Sequence, residues 1–335
     1  MRAVGLFFLA TPLLFAAPDP SMARLEQQIR FVSQISDGVV GVSAVHIESG
    51  RAVGVRGAEG FPMASAFKVP VAVAILTLVD EGKLSLGQMI ALGPADIHPG
   101  SGDISDLMFH PGVSLSIENL MELMLVVSDN SAADVMLRVA GGPEAVTARM
   151  RAIGLPGIRV DRSTALLISD WVGVKNVPPE SQWTLDSLKH LQDSVPNNEH
   201  MQARRAEMKD PKDTATPDDM TRLLVRIWKK DLLTPSSSGV LIGVMERCET
   251  GKARIKGMLP QGADVAHKTG TLGGVVNDVG VITLPNDLGH VALSVFTKAS
   301  NKPADVSEKA VAEVARTIYD YFVLVPAAVP GQARN

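Results

Sequence analysis

Strand-forming segments stand near the two ends of this 335-residue chain, and a long helical stretch lies between them. Residues 41–47 and 52–55 flank a turn at Glu48-Ser49-Gly50-Arg51, which reads as a β-hairpin. Apolar or alternating runs recur at 264–268, 278–284 and 290–297. For these five segments to pair in one antiparallel sheet, the chain must leave that sheet and return to it. A helix over 23–35 and a last helix over 304–322, striped by Val306, Ala310, Val314 and Ile318, can cover the sheet. The pattern predicts an α+β fold, a five-stranded antiparallel sheet flanked by N- and C-terminal helices with an all-α domain inserted. The expected division is 24–60 plus 245–325 for the sheet domain, 61–244 for the helical domain and 326–335 for a tail. At 335 residues and 46% hydrophobic content the chain can fill such a core.

Met1-Arg2 precedes an apolar run over 3–17, and small residues follow at Ser21 and Ala23. This is the outline of a secretory signal, residues 1–23, cleaved after Ala23. The run is shorter than the roughly 20 residues that span a bilayer. The expectation is therefore a periplasmic or secreted protein with no membrane anchor after cleavage. Cys248 is the only cysteine, so no internal disulfide can form and no lipid-modified cysteine follows the signal. A net charge of −4 with mixed signs offers no basic stripe, which argues against a nucleic-acid partner. The seven histidines show no HExxH or similar spacing, so neither a metal nor another cofactor is expected. His46 and His290 lie in strand-like stretches and read as structural. A monomer acting on a small molecule is the simplest expectation.

Three short stretches carry the chemistry: Ser65-Ala66-Phe67-Lys68, Ser128-Asp129-Asn130 and Lys268-Thr269-Gly270. A serine hydroxyl is a poor nucleophile until a base takes its proton, and a lysine one helical turn later shares its face and can be that base. Residues 69–79 are apolar nearly all round, marking a buried helix whose start carries Ser65, and Pro70 falls where its missing N–H does least harm. A helix start also points backbone N–H groups at the nucleophile. Ser128 and Asn130 interrupt an apolar helical region, which suits the wall of a pocket. They supply a hydroxyl to relay a proton to a leaving group and an amide to hold a substrate amide. Lys268 and Thr269 supply a cation and a hydroxyl for a substrate carboxylate. Each motif alone is weak, but the three in this order form the known signature of a class of acyl-transferring serine enzymes.

With these motifs, the stretches 61–70, Val160-Asp161-Arg162, Asp213-Thr214 before Pro217, His267 to Thr271 and Asn277-Asp278 make the chain resemble a class A serine β-lactamase. The resemblance implies a serine β-lactamase-like fold and a hydrolase acting on the cyclic amide of β-lactams. It implies that Ser65 is acylated with Lys68 as general base, and that Ser128 shuttles a proton to the lactam nitrogen. Asn130 would bind the substrate side chain, with Lys268, Thr269, Gly270 and Thr271 facing the carboxylate. The oxyanion hole would be the N–H groups of Ser65 and Thr271. Arg254 resembles an arginine that serves as a further carboxylate anchor.

One departure bears on mechanism. The family carries a glutamate after its equivalent of Arg162 to activate the deacylating water, and an asparagine four residues later. Here Thr164 and Ile168 stand at those places, and neither can act as a base. Arg162 and Asp213, which by resemblance pair at the neck of this loop, are 51 positions apart, so residues 163–212 form an enlarged loop. It holds Trp171, Trp183, a Pro178-Pro179 turn and a helix-like stretch over 185–195, so it is expected to be folded. Glu180, next to the diproline, is its candidate replacement base. Two other readings remain open at this level: a peptidoglycan D,D-peptidase or transpeptidase, and a β-lactam sensor or trap that forms a stable acyl-enzyme.

Overall fold

The computed structural model describes residues 20–325. Helix α1 (Pro20–Val32) leads into a hairpin of β1 (Val39–His46) and β2 (Ala52–Val55). The chain leaves the sheet through β3 (Phe61–Pro62), a 3₁₀ turn (Ala64–Phe67) and α2 (Lys68–Asp80). A helical layer follows, comprising β4 (Met89–Ala91), α3 (Asp103–Leu107), β5 (Ser114–Ser116), α4 (Ile117–Leu125), α5 (Asn130–Val139) and α6 (Pro143–Ala152). The enlarged loop contributes α7 (Thr164–Val172), α8 (Leu185–Asp193) and α9 (Asn197–Glu207) before β6 (Thr214–Ala215) pairs with β3. Helices α10 (Pro217–Lys229) and α11 (Pro235–Glu246) return the chain to β7 (Val265–Leu272), β8 (Val275–Thr283), β9 (His290–Lys298) and α12 (Ala304–Leu324).

The sheet has the order β2-β1-β9-β8-β7 and is antiparallel throughout, joining strands from both ends of the chain as expected. Both faces are covered, so its strands read as nearly continuous apolar runs. Val40, Val42, Ala44, Ile282, Val291, Leu293 and Val295 pack with Leu25 and Ile29 of α1 and Val311, Val314, Ile318 and Phe322 of α12. On the opposite face Ala266, Val279, Val281, Ala292 and Phe296 join the core of the helical layer. Helix α10 lies between the two layers. Its Thr221 hydroxyl donates to Ser43 O at 3.0 Å and bonds Ser294 Oγ at 2.9 Å. The apolar run over 3–17 and the tail 326–335 lie outside the described residues, and the expected cleavage point after Ala23 falls within the first turns of α1.

The segment 69–76 of α2 is buried on every side, which makes this helix the axle of the helical layer. Ser116 caps α4 and Asp129 caps α5, each accepting from a backbone N–H three residues on. The enlarged loop is folded, as its aromatic residues suggested, and contains two helices beyond the one expected. Ser163 caps α7, and Gly173 closes it in the left-handed conformation at φ 90°. Trp171 packs on Ala64 and Val275, next to the turn that carries Ser65, while Trp183 and Leu188 pack on Ala165.

Candidate active site

Ser65 lies in the 3₁₀ turn that feeds α2, a tighter entry than the α-helical start expected. In a 3₁₀ turn residues i and i+3 eclipse, which stacks Lys68 over Ser65. The preceding Ala64 holds φ 45°, a left-handed value that a non-glycine adopts at a cost and only where its surroundings impose it. Two contacts impose it here. Asn277 Nδ2 donates to Pro62 O at 2.8 Å and to Met63 O at 3.0 Å. Strand β7 approaches so closely that a Cβ at Gly270 would lie 2.3 Å from Met63 O, so no side chain fits there. Ser65 itself is half-buried, and its hydroxyl has no hydrogen-bond partner among the described residues.

Lys68 is fully buried, and its Nζ turns to the second motif rather than to Ser65. It donates to Ser128 O at 2.7 Å and Asn130 Oδ1 at 2.9 Å, and lies 3.2 Å from Ser128 Oγ and from Asp129 O. Burial drives its pKa well below the ordinary lysine value and the Lys268 charge adds to this, against Asp129 and Asp134. Lys268 Nζ donates to the same Ser128 Oγ at 2.9 Å. Burial lowers Lys268 to about 8, with Arg254 also lowering it and Cys248 and Asp278 opposing. The Ser128 hydroxyl therefore bridges two lysines of depressed basicity, a geometry suited to moving protons. Its backbone pays for this with φ 64°, and the loop below clamps it: Ser101 Oγ donates to Ser128 O at 3.2 Å.

The third motif places its polar groups along β7. Thr269 Oγ1 bonds Thr250 Oγ1 at 2.6 Å, and the exposed Thr271 accepts from Arg254 Nη2 at 2.7 Å. Arg254 is only 5% exposed, so it is not a solvated surface residue. It also pairs with Glu308 at 3.1 Å and donates to Asn277 O at 2.9 Å. The structure thus brings Ser65, Lys68, Ser128, Asn130, Lys268, Thr269, Gly270, Thr271 and Arg254 into one region.

Glu180 is placed elsewhere. It is exposed and lines a cavity of about 830 Å³ with Asp96, His98, Asp134, Arg138 and Trp183, a cavity that Ser65, Lys68, Ser128 and Lys268 do not line. The neck of the loop forms as expected: Arg162 Nε meets Asp213 at 2.6 Å, with both side chains buried. Arg162 further binds Asp170 of α7 at 2.6 Å and Glu207 of α9 at 3.0 Å, so one guanidinium gathers the entry, two helices and the exit of the loop. Thr164 N and Ala165 N donate to the two oxygens of Asp134 at 2.6 and 3.0 Å. The Thr164 hydroxyl is buried without a partner among the described residues, and Ile168 and Asn130 both border Gly100.

Asp134 was not singled out from the sequence, and Asn277, Asp278, His267 and Cys248 were given no role in the site there. Asn277 and Asp278 were noted only as part of the resemblance, and nothing local shows that Asn277 holds the nucleophile turn from 214 residues away. Asp134 lies one turn after Asn130 on α5, a spacing that could have marked it. His267 and Cys248 form, with Asp278, a buried polar layer behind β7.

A sheet closed by the chain's two ends, with the turn that carries Ser65 wedged between it and a helical layer, is the architecture of the serine β-lactamase fold. The chain matches the model of the β-lactamase enzyme family over residues 24–322 and belongs to that family. It is 28% identical over 307 residues to β-lactamase VEB-1 of Pseudomonas aeruginosa, covering 89% of this chain and 90% of that one. It is 29% identical over 311 residues to the carbapenem-hydrolysing β-lactamase KPC of Klebsiella oxytoca, covering 92% and 90%. Its fold superposes on an ancestral class A β-lactamase with a TM-score of 0.72 at 30% identity, covering 89% and 100%. The protein is accordingly a class A-like serine β-lactamase, a hydrolase of the β-lactam amide bond. The peptidase and trap readings are not favoured.

Proposed function

We propose that β-lactams acylate Ser65 through Lys68 and Ser128, and that hydrolysis of the resulting ester is the slower half of the reaction. The observation that carries this reading is the Ser128 hydroxyl held between Lys68 and Lys268, with Thr164 at the place of the usual base. Ser65 Oγ attacks the lactam carbonyl carbon while its proton passes to neutral Lys68, the form that burial favours by driving its pKa well below the ordinary lysine value. Negative charge on the carbonyl oxygen is met by the N–H groups of Ser65 and Thr271. As the C–N bond breaks, Ser128 gives its proton to the nitrogen and is reprotonated from Lys68. Lys268, Thr269 and Thr271 receive the substrate carboxylate, with Arg254 acting through Thr271. Water then attacks the ester and Ser65 leaves. General-base help at that step is worth about 10²–10⁴ in rate, and its usual carboxylate is missing.

Further inferences concern the setting. The N-terminal pattern supports export, and no helix among the described residues is long and apolar enough to cross a membrane. A monomer and the division into sheet and helical domains complete the proposal. The test is intact mass after incubation with a penicillin. Wild type is expected to gain one adduct and Ser65→Ala none; an adduct on Ser65→Ala would overturn the assignment.

A further inference from the structure

The inserted helix α9 sends one arginine back towards β7. Arg204 is exposed, and its guanidinium pairs with no carboxylate and donates to no acceptor among the described residues. It lies against the two-residue turn between β7 and β8: a Cβ at Gly273 would be 3.6 Å from both Arg204 Cζ and Nη1, and 3.7 Å from Trp171 Cζ2. Gly273 carries no side chain to displace it. The backbone that presents Arg204 is anchored on both sides. Ala203 abuts Gly173 at the end of α7, where a Cβ would be 3.1 Å from the Ala203 methyl, and Glu207 is bound to Arg162. Earlier in α9, Glu199 pairs with Lys175 at 2.6 Å. The folded insertion thus holds an unpaired cation over the turn, two residues beyond Thr271.

We propose that Arg204 is a specificity-determining residue that receives an anionic group on the acylamino side chain of the substrate. This rests on the reading of Lys268 and Thr269 as the site for the ring carboxylate and of the Thr271 N–H as part of the oxyanion hole. The lactam carbonyl carbon carries, besides its oxygen, the nitrogen of the ring that bears that carboxylate and the carbon that bears the side chain. With the carboxylate at Lys268 and the carbonyl oxygen at Thr271, the side chain leaves in the opposite direction, onward to Leu272 and Gly273. A strand advances about 3.3 Å per residue, so Gly273 lies about 7 Å past Thr271. A carboxylate on the carbon next to the side-chain amide reaches about 6 Å from the lactam carbonyl, since a peptide-like unit spans about 3.8 Å. That brings it to the Arg204 guanidinium, whose planar fork of N–H donors matches a carboxylate. An uncharged side chain offers nothing there in exchange for the water around the cation.

The experiment measures acylation efficiency by stopped flow for benzylpenicillin and for its α-carboxy derivative, which differ only in the side-chain carboxylate. The proteins are wild type, Arg204→Ala, Arg204→Glu and Arg204→Lys. Arg205 is also exposed and unpaired among the described residues but points about 100° round the helix, so Arg205→Glu is the charge-matched control. With the carboxy penicillin, Arg204→Ala is expected to lose about fivefold, the upper end for an exposed charge pair, and Arg204→Glu more, as attraction turns to repulsion. The loss should appear as weaker binding and not as a slower chemical step. Arg204→Lys should recover most of it, and benzylpenicillin should react as with wild type throughout. In wild type itself the advantage of the carboxy penicillin should fade at about 1 M salt, where the screening length falls to about 3 Å. Equal losses with both penicillins would make Arg204 a structural residue, and an unchanged ratio in Arg204→Glu would remove it from the site. The same loss in Arg205→Glu would reduce the effect to net charge. Each of these overturns the proposal. Wild type that benzylpenicillin fails to acylate would instead refute the acyl-enzyme reading beneath it.

Discussion

The region proposed to form the acyl-enzyme and the enlarged loop proposed to face its hydrolysis are built differently. Lys68, Ser128, Asn130 and Lys268 are all buried, and each is tied to secondary structure of the core, on α2, at the α5 cap or on β7. Residues 163–212 have small local clusters around Trp171 and Trp183 and are gathered by one charged hub at Arg162. Helix α9 buries no residue at all. The first region is held by the same packing that makes the fold, so changes there are costly. The second hangs on small clusters and one charged hub, so on the proposed mechanism an insertion or a lost carboxylate there should leave acylation intact.

The largest effect that can break this contrast is expected at Lys68. Lys68→Met should slow acylation by about 10²–10⁴, the worth of a general base, as followed by stopped-flow adduct formation. A loss below tenfold would move the base elsewhere. Next comes the hub. Arg162→Ala leaves buried Asp213 unpaired and should lower stability by about 3–5 kcal/mol in denaturant unfolding. Hydrogen exchange in that variant should rise over 164–212 before it rises in α2 or β7; uniform loss of protection would show that the loop is not a separate unit.

These two predictions mark what could and could not be read from the chain. The sheet was legible because its strands alternate or run apolar, and the candidate site because its residues fall into three short motifs that the fold brings together. The entry of Ser65 through a 3₁₀ turn was not legible, since it depends on Asn277 and on the closeness of β7 at Gly270. Helix α9 has no apolar stripe to announce it, because it is held through Glu207 and Arg162 rather than by burial. Arg162 was paired with Asp213 by the family resemblance, but its grip on Asp170 and Glu207 follows only from the folded insertion. Glu180 looked attractive for its place after two prolines, yet sequence distance says nothing of which cavity a side chain lines.

Smaller effects sharpen the comparison. Arg254→Ala should weaken acylation by carboxylate-bearing substrates roughly tenfold to a hundredfold, the scale of one charge-assisted contact. Unchanged rates would remove Arg254 from the anchor. Acylation should also follow a bell in pH. It rises as Lys68 loses its proton, at a pH lowered from the ordinary lysine range, and falls as Lys268 loses its charge near about 8. An alkaline limb near 10 would contradict the Lys268 assignment. The smallest effect is expected at Glu180, where Glu180→Gln should leave both adduct formation and adduct loss unchanged by mass spectrometry, since the side chain lines another cavity. Slower adduct loss would restore it as the replacement base.

The central claim is that acylation outpaces deacylation because only the first has its full set of groups. Rapid mixing of the protein with a chromogenic cephalosporin reads both halves in one trace. The account predicts a burst equal to the enzyme concentration, then a steady rate slower than the burst by about 10²–10⁴, with acyl-enzyme as the main species at steady state. Turnover that begins at its steady rate with no burst, while quenched samples contain free enzyme, would contradict it.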